Sequence, residues 1–517
     1  MIIIYHQNNK VHSVCDLEEK TVRLKSSLVA DALFEAASLF PGSLVVWCHV
    51  SQRKNLNQAM LPEIFHHKKM MASYDPAGNY LPDAIGYVDQ SPFIKINKQA
   101  SYPTWQMSGC VGGIYSTVLN SLRQEIKAIK NFEFFLNSIA KLAMPAGLLC
   151  YSEPRLMADA DFSCKQKKAS FFMLFKFVKQ HYRARWVFIL FLNCFIYEKQ
   201  FLVFPFLKAL FYKNKKISNA ALAPIPVESA KRVVGEKTID VIIPTIGRKK
   251  YLHDVLKDFR VQTHLPDKII IVEQNPLAES TSELDFISAE DWPFEIKHIF
   301  THQAGACNAR NLALSETSSE WVFLADDDNR FDASLIEEVF NFIQLTGNEA
   351  VTTSYIQKGE KKVNHDIIQW PTFGAGNSFV KRSVLDLNEI RFNASLEFGY
   401  GEDADFGMQL RNCGIDILYL PFPEILHLKA PLGGFRMKQK RAWDASGIQP
   451  KPSPTVMLFK ILHLAGKQIK GYKTILFLKY YSKQPVKNPI RYYFNFSNQW
   501  KCSVYWANQL KNRQVRS

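Results

Sequence analysis

The chain has 517 residues, 47% hydrophobic and 22% charged, enough for about two to four domains with sizeable cores. Its net charge of +16 sits in the last part: from Pro431 to Ser517, 12 Lys and 5 Arg face a single acid, Asp444. That bias suits nucleic acid, an anionic membrane or an acidic substrate. Nine widely spaced cysteines with no C-x-x-C argue against a zinc site and predict reduced thiols in a cytoplasmic compartment.

In chain order, MIIIYHQNNK reads as a short strand and lacks the basic flank and long apolar core of a signal peptide. Residues 1–160 mix strand-like runs (Ser43 to Val50) with helix-like ones (Phe132 to Met144). Residues 161–235 read as a basic, aromatic, helical linker ending in AALAPIPVESA. Phe171, Leu174, Phe175, Val178 and Tyr182 fall at helical spacing there. The most apolar run, Trp186 to Tyr197, has twelve residues, short of the roughly 20 that a spanning helix needs.

Residues 236–430 alternate strands and helices, the pattern of an α/β domain. TIDVIIPT (238–245), DKIIIVEQ (267–274), EWVFLADDDN (320–329), AVTTSYI (350–356) and DILYLP (416–421) read as strands. A capping box from Ser334 to Glu337 would open one helix. Another would run from about Glu402 to Asn412 and stop at Gly414. Residues 431–517 read as a basic amphipathic tail. There Val456, Phe459, Leu462, Ile469, Tyr472, Ile475, Leu476 and Leu478 alternate with lysines. Basic helices with aromatic and aliphatic faces suit an anionic membrane surface, or else they pack as core with their lysines solvated. No nucleic-acid motif accompanies the charge, so no nucleic-acid partner is expected.

The chemistry lies at strand ends, where ligands bind in such sheets. Asp326-Asp327-Asp328 repel one another unless a hard cation such as Mg²⁺ or Mn²⁺ joins them. A solvated acidic turn is the bland alternative. Glu402-Asp403 would supply a carboxylate able to take a proton from an attacking hydroxyl, or would simply favour a helix amino terminus.

Six segments in order, IDVIIPTIGR, IIIVEQ, GACNARNLAL, FLADDDN, FGAGNSFVKRSVL and GYGEDADFGMQLR, resemble a family-2 glycosyltransferase of the GT-A fold, of the type that builds bacterial surface polysaccharides. The resemblance covers Thr238 to His427. It implies a metal-dependent inverting transfer from a nucleotide-sugar to a glycan or lipid-linked acceptor, at the inner face of the cell membrane. Carried over, it implies Pro244, Thr245 and Glu273 at the nucleotide, and Arg310 at the diphosphate or bracing the acids. Asp326 and Asp327 would hold ribose and donor sugar. Asp328, with His427, would hold Mn²⁺ or Mg²⁺. Gly374, Gly376 and Asn377 would lie under the donor sugar, with Asp403 as base and Glu402 on the acceptor. Glu273-Gln274-Asn275-Pro276 departs from the family's Asp followed by Asp-Gly-Ser, so the base is left open. A nucleotidylyltransferase would want a Gly-rich, basic loop where this chain has PTIGRKKYL. A non-catalytic membrane scaffold is the third reading.

The front of the chain carries a weak internal repeat. YPTWQMSGCVGGIYSTVL (102–119) parallels WPTFGAGNSFVKRSVL (370–385), and GLLCYSEPRL (147–156) parallels GIDILYLPFPEIL (414–426). This predicts a degenerate, non-catalytic GT-A-like unit lacking the first two nucleotide-binding strands. The Asp triplet would be replaced by His49-Val50-Ser51, and Glu402-Asp403 by about Phe135-Leu136.

Overall fold

The computed structural model describes residues 1–91, 94–126, 129–159, 168–431 and 440–514. They form two compact units, Met1–Lys231 with Ala465–Leu476, and Arg232–Leu464 with Phe477–Ser517. This division differs from the four parts read from composition. Of the stretch read as a linker, 161–235, residues 161–167 lie outside the described residues, and the part up to Lys231 belongs to the first unit: Leu174, Phe175, Val187, Leu190, Leu222 and Ile225 are buried in its core. The tail is shared. In the first unit Gln468 Nε2 donates to the carbonyls of Asp89 (3.0 Å) and Ser91 (2.8 Å). In the second, the helix Pro454–His463 buries Met457 and Leu458.

The second unit is built on a nine-stranded sheet. Its strands are β8 (Ile239–Thr245), β9 (Lys268–Gln274), β10 (Glu295–Thr301), β11 (Trp321–Ala325), β12 (Asn329–Arg330), β13 (Ala350–Ile356), β14 (Ile368–Gln369), β15 (Asn377–Lys381) and β16 (Leu418–His427). The order is β10-β9-β8-β11-β15-β13-β16-β12, with β14 on β16. β8, β9 and β11 are almost continuously buried, as expected of parallel strands covered on both faces. The β11–β15 pair is antiparallel, and Phe323 stacks on its cross-strand partner Phe379 with centroids 4.1 Å apart. The helix Lys249–Arg260 buries Leu252, Val255, Leu256 and Phe259, one stripe at helical spacing. The helix Glu402–Asn412 is followed by Gly414 at φ +90°. The capping box does not form. Ser334 Oγ donates to Glu338 (2.6 Å) instead, and Glu337 accepts from Thr263.

The first unit has a seven-stranded sheet: β1 (Ile2–Gln7), β2 (Lys10–Asp16), β3 (Leu44–His49), β4 (Met70–Tyr74), β5 (Tyr102–Pro103), β6 (Val111–Tyr115) and β7 (Leu149–Ser152), in the order β2-β1-β3-β6-β4-β7-β5. From β1 onward this repeats β8-β11-β15-β13-β16-β14. Strand direction agrees at every step: parallel, antiparallel, antiparallel, parallel, antiparallel. The unit is a reduced copy of the same fold. The copy is more complete than its sequence suggests, because β1 occupies the place of β8. What is missing is the crossover that follows β8. The hairpin strand β2, antiparallel to β1, stands where parallel β9 would be.

Pairing register fixes the equivalent residues. Leu44 lies opposite Tyr115 as Trp321 lies opposite Lys381, so His49, the last residue of β3, with Val50 and Ser51 takes the place of the three Asp residues that follow β11. The second correspondence needs correcting. Glu133, second in the helix Phe132–Ala143, accepts the backbone N–H of Gly109 at 2.8 Å. Asp403, second in its own helix, accepts that of Ala375, the register equivalent of Gly109. Phe132-Glu133, three positions before Phe135-Leu136, therefore replace Glu402-Asp403. His6, Trp47 and Phe132 pack edge to face at this end of the first sheet.

Candidate functional site

At the carboxyl ends of β8 and β11 the second unit holds a cavity of ≈ 360 Å³. Pro244, Thr245, Arg310, Asp326, Asp327, Asp328, Gly374, Gly376, Asn377, Glu402, Asp403 and His427 all line it. These residues come from six separated stretches of sequence, and the sheet order brings them together.

The Asp triplet is neutralised from two sides. Arg248 Nη1 lies 2.5 Å from Asp327 Oδ1 and 3.5 Å from Asp328 Oδ2. Arg310 Nη2 lies 2.9 Å from Asp326 Oδ1. Thr245 Oγ1 donates to Asp327 Oδ2 at 2.7 Å. Burial pushes the Asp327 carboxyl up to about 6 despite Arg248 and Thr245. Asp328 goes the other way. Burial raises it, but the His427 ring and the backbone N–H of Ala430 hold it below the ordinary carboxylate value. His427 Nε2 is 3.5 Å from Asp328 Oδ1, and its ring stacks on Tyr355 at 4.7 Å.

Glu402, buried, and Asp403, partly buried, form an acidic pair. Burial and mutual repulsion raise Glu402; burial and the field of Asp326 raise Asp403, opposed by Arg310. Arg310 is buried beside all three acids, and although burial alone would lower it, they hold its guanidinium above the usual range. One cation thus links the Asp triplet to the acidic pair.

Two glycines let the loop after β14 approach. A Cβ on Gly376 would sit 2.2 Å from Asp326 Oδ2, and one on Gly374 would sit 2.1 Å from Asn377 Oδ1. Asn377 faces inward, its amide donating to Thr352 Oγ1 and the Thr353 carbonyl at 3.0 and 2.6 Å.

Glu273 is placed differently from the other expected site residues. It is buried beside the cavity, but its carboxylate accepts from Ser282 Oγ (2.5 Å) and the Glu283 N–H (3.0 Å), with His298 Nε2 at 2.9 Å. It braces the loop after β9, and its neighbour Gln274 lines the cavity. Sequence reasoning also passed over Arg248, Tyr355 and Glu397. Arg248 lies inside IDVIIPTIGR, so its motif was visible though its partner was not. Glu397 accepts the N–H groups of Cys307 (3.1 Å) and Asn308 (2.9 Å) at the start of the helix Ala306–Leu314. That contact spans about ninety residues and leaves no local pattern.

Residues 240–398 match the family described as "Glycosyl transferase family 2". The segment is a family-2 glycosyltransferase domain. Glu402, Asp403 and His427 lie beyond the matched stretch and join the domain's cavity by geometry. An uncharacterized glycosyltransferase of Rickettsia conorii is 29% identical over 132 residues, covering 26% of this chain and 21% of that one. Glycosyltransferase GlyG of Streptococcus pneumoniae is 24% identical, covering 24% and 42%. The poly(ribitol-phosphate) β-N-acetylglucosaminyltransferase TarP of Staphylococcus aureus is 23% identical, covering 30% and 52%. The chain thus spans between a fifth and about half of these relatives. Among solved structures, S. aureus TarS 1–349 with UDP-GlcNAc aligns at 17% identity and TM-score 0.35, over 46% of this chain and 70% of that chain.

In this glycosyltransferase domain Gly376→Ala is expected to cost about 1–3 kcal/mol, the range for overpacking a filled site. The added methyl must displace the Asp326 carboxylate. Chemical denaturation should show the loss, and an unchanged midpoint would mean that the loop can move aside.

Proposed function

We propose that the domain transfers a sugar from a nucleotide-sugar to an acceptor hydroxyl, with inversion. The observation that carries this reading is the convergence of the Asp triplet, Arg310 and the Glu402-Asp403 pair on one cavity. Pro244, Thr245 and Gln274 take the nucleotide end. Asp326 and Asp327 orient ribose and donor sugar, over the floor made by Gly374, Gly376 and Asn377. Asp403 takes the proton of the attacking hydroxyl, and Glu402 positions the acceptor. Arg310 faces the diphosphate while holding the acids in place. A single displacement of this kind needs no covalent enzyme intermediate.

Asp328 and His427 would hold a divalent cation. Their donor atoms, a carboxylate oxygen and an imidazole nitrogen, stand 3.5 Å apart on the cavity wall. Among the described residues no three metal-donor side chains converge. A pair of protein ligands completed by substrate phosphates is the pattern that Mg²⁺ and Mn²⁺ accept. When bound, the cation would stabilise charge on the departing diphosphate. We propose a glycan or lipid-linked acceptor of a bacterial surface polysaccharide. The name of the relative TarP makes a nucleotide-linked N-acetylglucosamine a first donor to try. Asp328→Ala should abolish Mn²⁺-dependent donor binding in calorimetry, along with transfer. Wild-type binding and turnover in that variant would refute the role.

A further inference from the structure

Of the expected stripe, Leu174, Phe175 and Val178 are fully buried, and Phe171 and Tyr182 pack partly buried against the first unit's core. The exposed apolar surface lies further on, across the helices Arg185–Glu198 and Val203–Leu210 and the turn after them. Phe201, Phe204 and Phe211 are 71%, 78% and 87% exposed, with Phe188, Phe195 and Leu207 also exposed. The aromatic face is continuous. Ring centroids of Phe188 and Phe206, Phe206 and Phe191, Phe191 and Phe201, and Phe201 and Phe195 lie 5.0 to 6.0 Å apart. A surface that faced only water would rarely keep such a patch.

We propose that this face docks on an anionic lipid surface. Between Phe171 and Ile217 the sequence has nine Lys and Arg against one acid, Glu198. The Glu198 carboxylate is already engaged by Lys467 at 2.6 Å and Tyr87 Oη at 3.1 Å. A second copy would set this positive charge against its like, whereas acidic headgroups complement it. No helix among the described residues is long and apolar enough to cross a membrane. In that docking the short helices would lie in the interface, with aromatic rings inserted and basic side chains at headgroup level. The inference does not depend on the sugar-transfer reading.

The test is cosedimentation of the 517-residue chain with phosphatidylcholine vesicles, with and without phosphatidylglycerol. Binding is expected only with phosphatidylglycerol and should weaken as salt rises. The triple variant Phe201→Ser, Phe204→Ser, Phe211→Ser should partition about a hundredfold less. Its melting curve should stay unchanged, since all three rings are exposed. Wild-type binding that ignores lipid charge, no binding at all, or full binding by the variant would each overturn the proposal. So would a variant that changes only the oligomeric state in size-exclusion chromatography, which would assign the face to a second copy.

Discussion

Asp403→Asn is expected to lower sugar transfer by about a thousandfold, within the range for removing a general base, while donor affinity changes only a few-fold. The variant keeps an oxygen to accept the Ala375 N–H, so the helix start should hold its place. The negative charge and the ability to take a proton are lost. Because the folded-state pKa is raised, wild-type transfer should climb with pH above the ordinary carboxylate range, and this limb should vanish in the variant. Stability should move the opposite way. A carboxylate whose folded pKa lies above its unfolded value stabilises fully below the unfolded value, and that stability is lost as pH rises through the folded one. Asp403→Asn should therefore melt higher than wild type near pH 8 and show no gain near pH 4. A variant inactive but no more stable at pH 8 would leave Asp403 outside the strained acidic pair.

Arg310→Met should be the most damaging single change to the fold of the second unit. Arg310 is buried, contacts Asp326 at 2.9 Å and holds Glu402 and Asp403 in its field, with its guanidinium 5.4 Å from the Phe392 ring centre. Removing one partner of a buried ion pair costs about 3–5 kcal/mol, and here several acids lose the same cation. They would take up protons, so transfer at neutral pH should fail even where the chain still folds. Arg310→Lys keeps the charge but loses the planar fork, and should recover much of the stability and less of the activity. Denaturation midpoints with transfer rates separate these outcomes. A Met variant as stable as wild type would mean that the acids are satisfied by other groups.

The sheet of the second unit could be read from sequence wherever strands are buried on both faces. β8, β9 and β13 fall within a residue of the expected runs because β-branched residues fill them. β10 was missed because it is half-buried along its length, which leaves no apolar run. β15 follows a Gly-rich loop and was not among the expected strands, its five residues being too short a run to stand out beside that loop. The acids were legible because three like charges at a strand end need an explanation. The cations that balance them were less so, since an arginine's partner is set by topology. Arg248 meets Asp327 across 79 residues, and Glu397 meets the start of the helix Ala306–Leu314 across about ninety. Glu273 shows the converse: its motif position was legible, but its hydrogen bonds face the next loop.

The two sheets together explain why one active centre is expected. The first unit keeps strand order, direction and a carboxylate, Glu133, at the place of Asp403. It has lost the triplet, and Leu33 stands at the fifth position of the helix Val29–Leu39, where Arg310 stands in the helix Ala306–Leu314. Glu133 with no Asp triplet beside it does not reproduce the two acid clusters proposed to bind a diphosphate and a metal together.

The most direct test of the central claim is release of nucleoside diphosphate from a panel of UDP-, GDP- and dTDP-sugars by the purified chain with Mn²⁺. One donor should be bound and slowly hydrolysed even without acceptor, and Asp328→Ala should lose both. A folded chain that binds none of the panel, or an Asp328→Ala variant that still turns the donor over, would contradict a metal-assisted glycosyltransferase centred on Asp326-Asp327-Asp328.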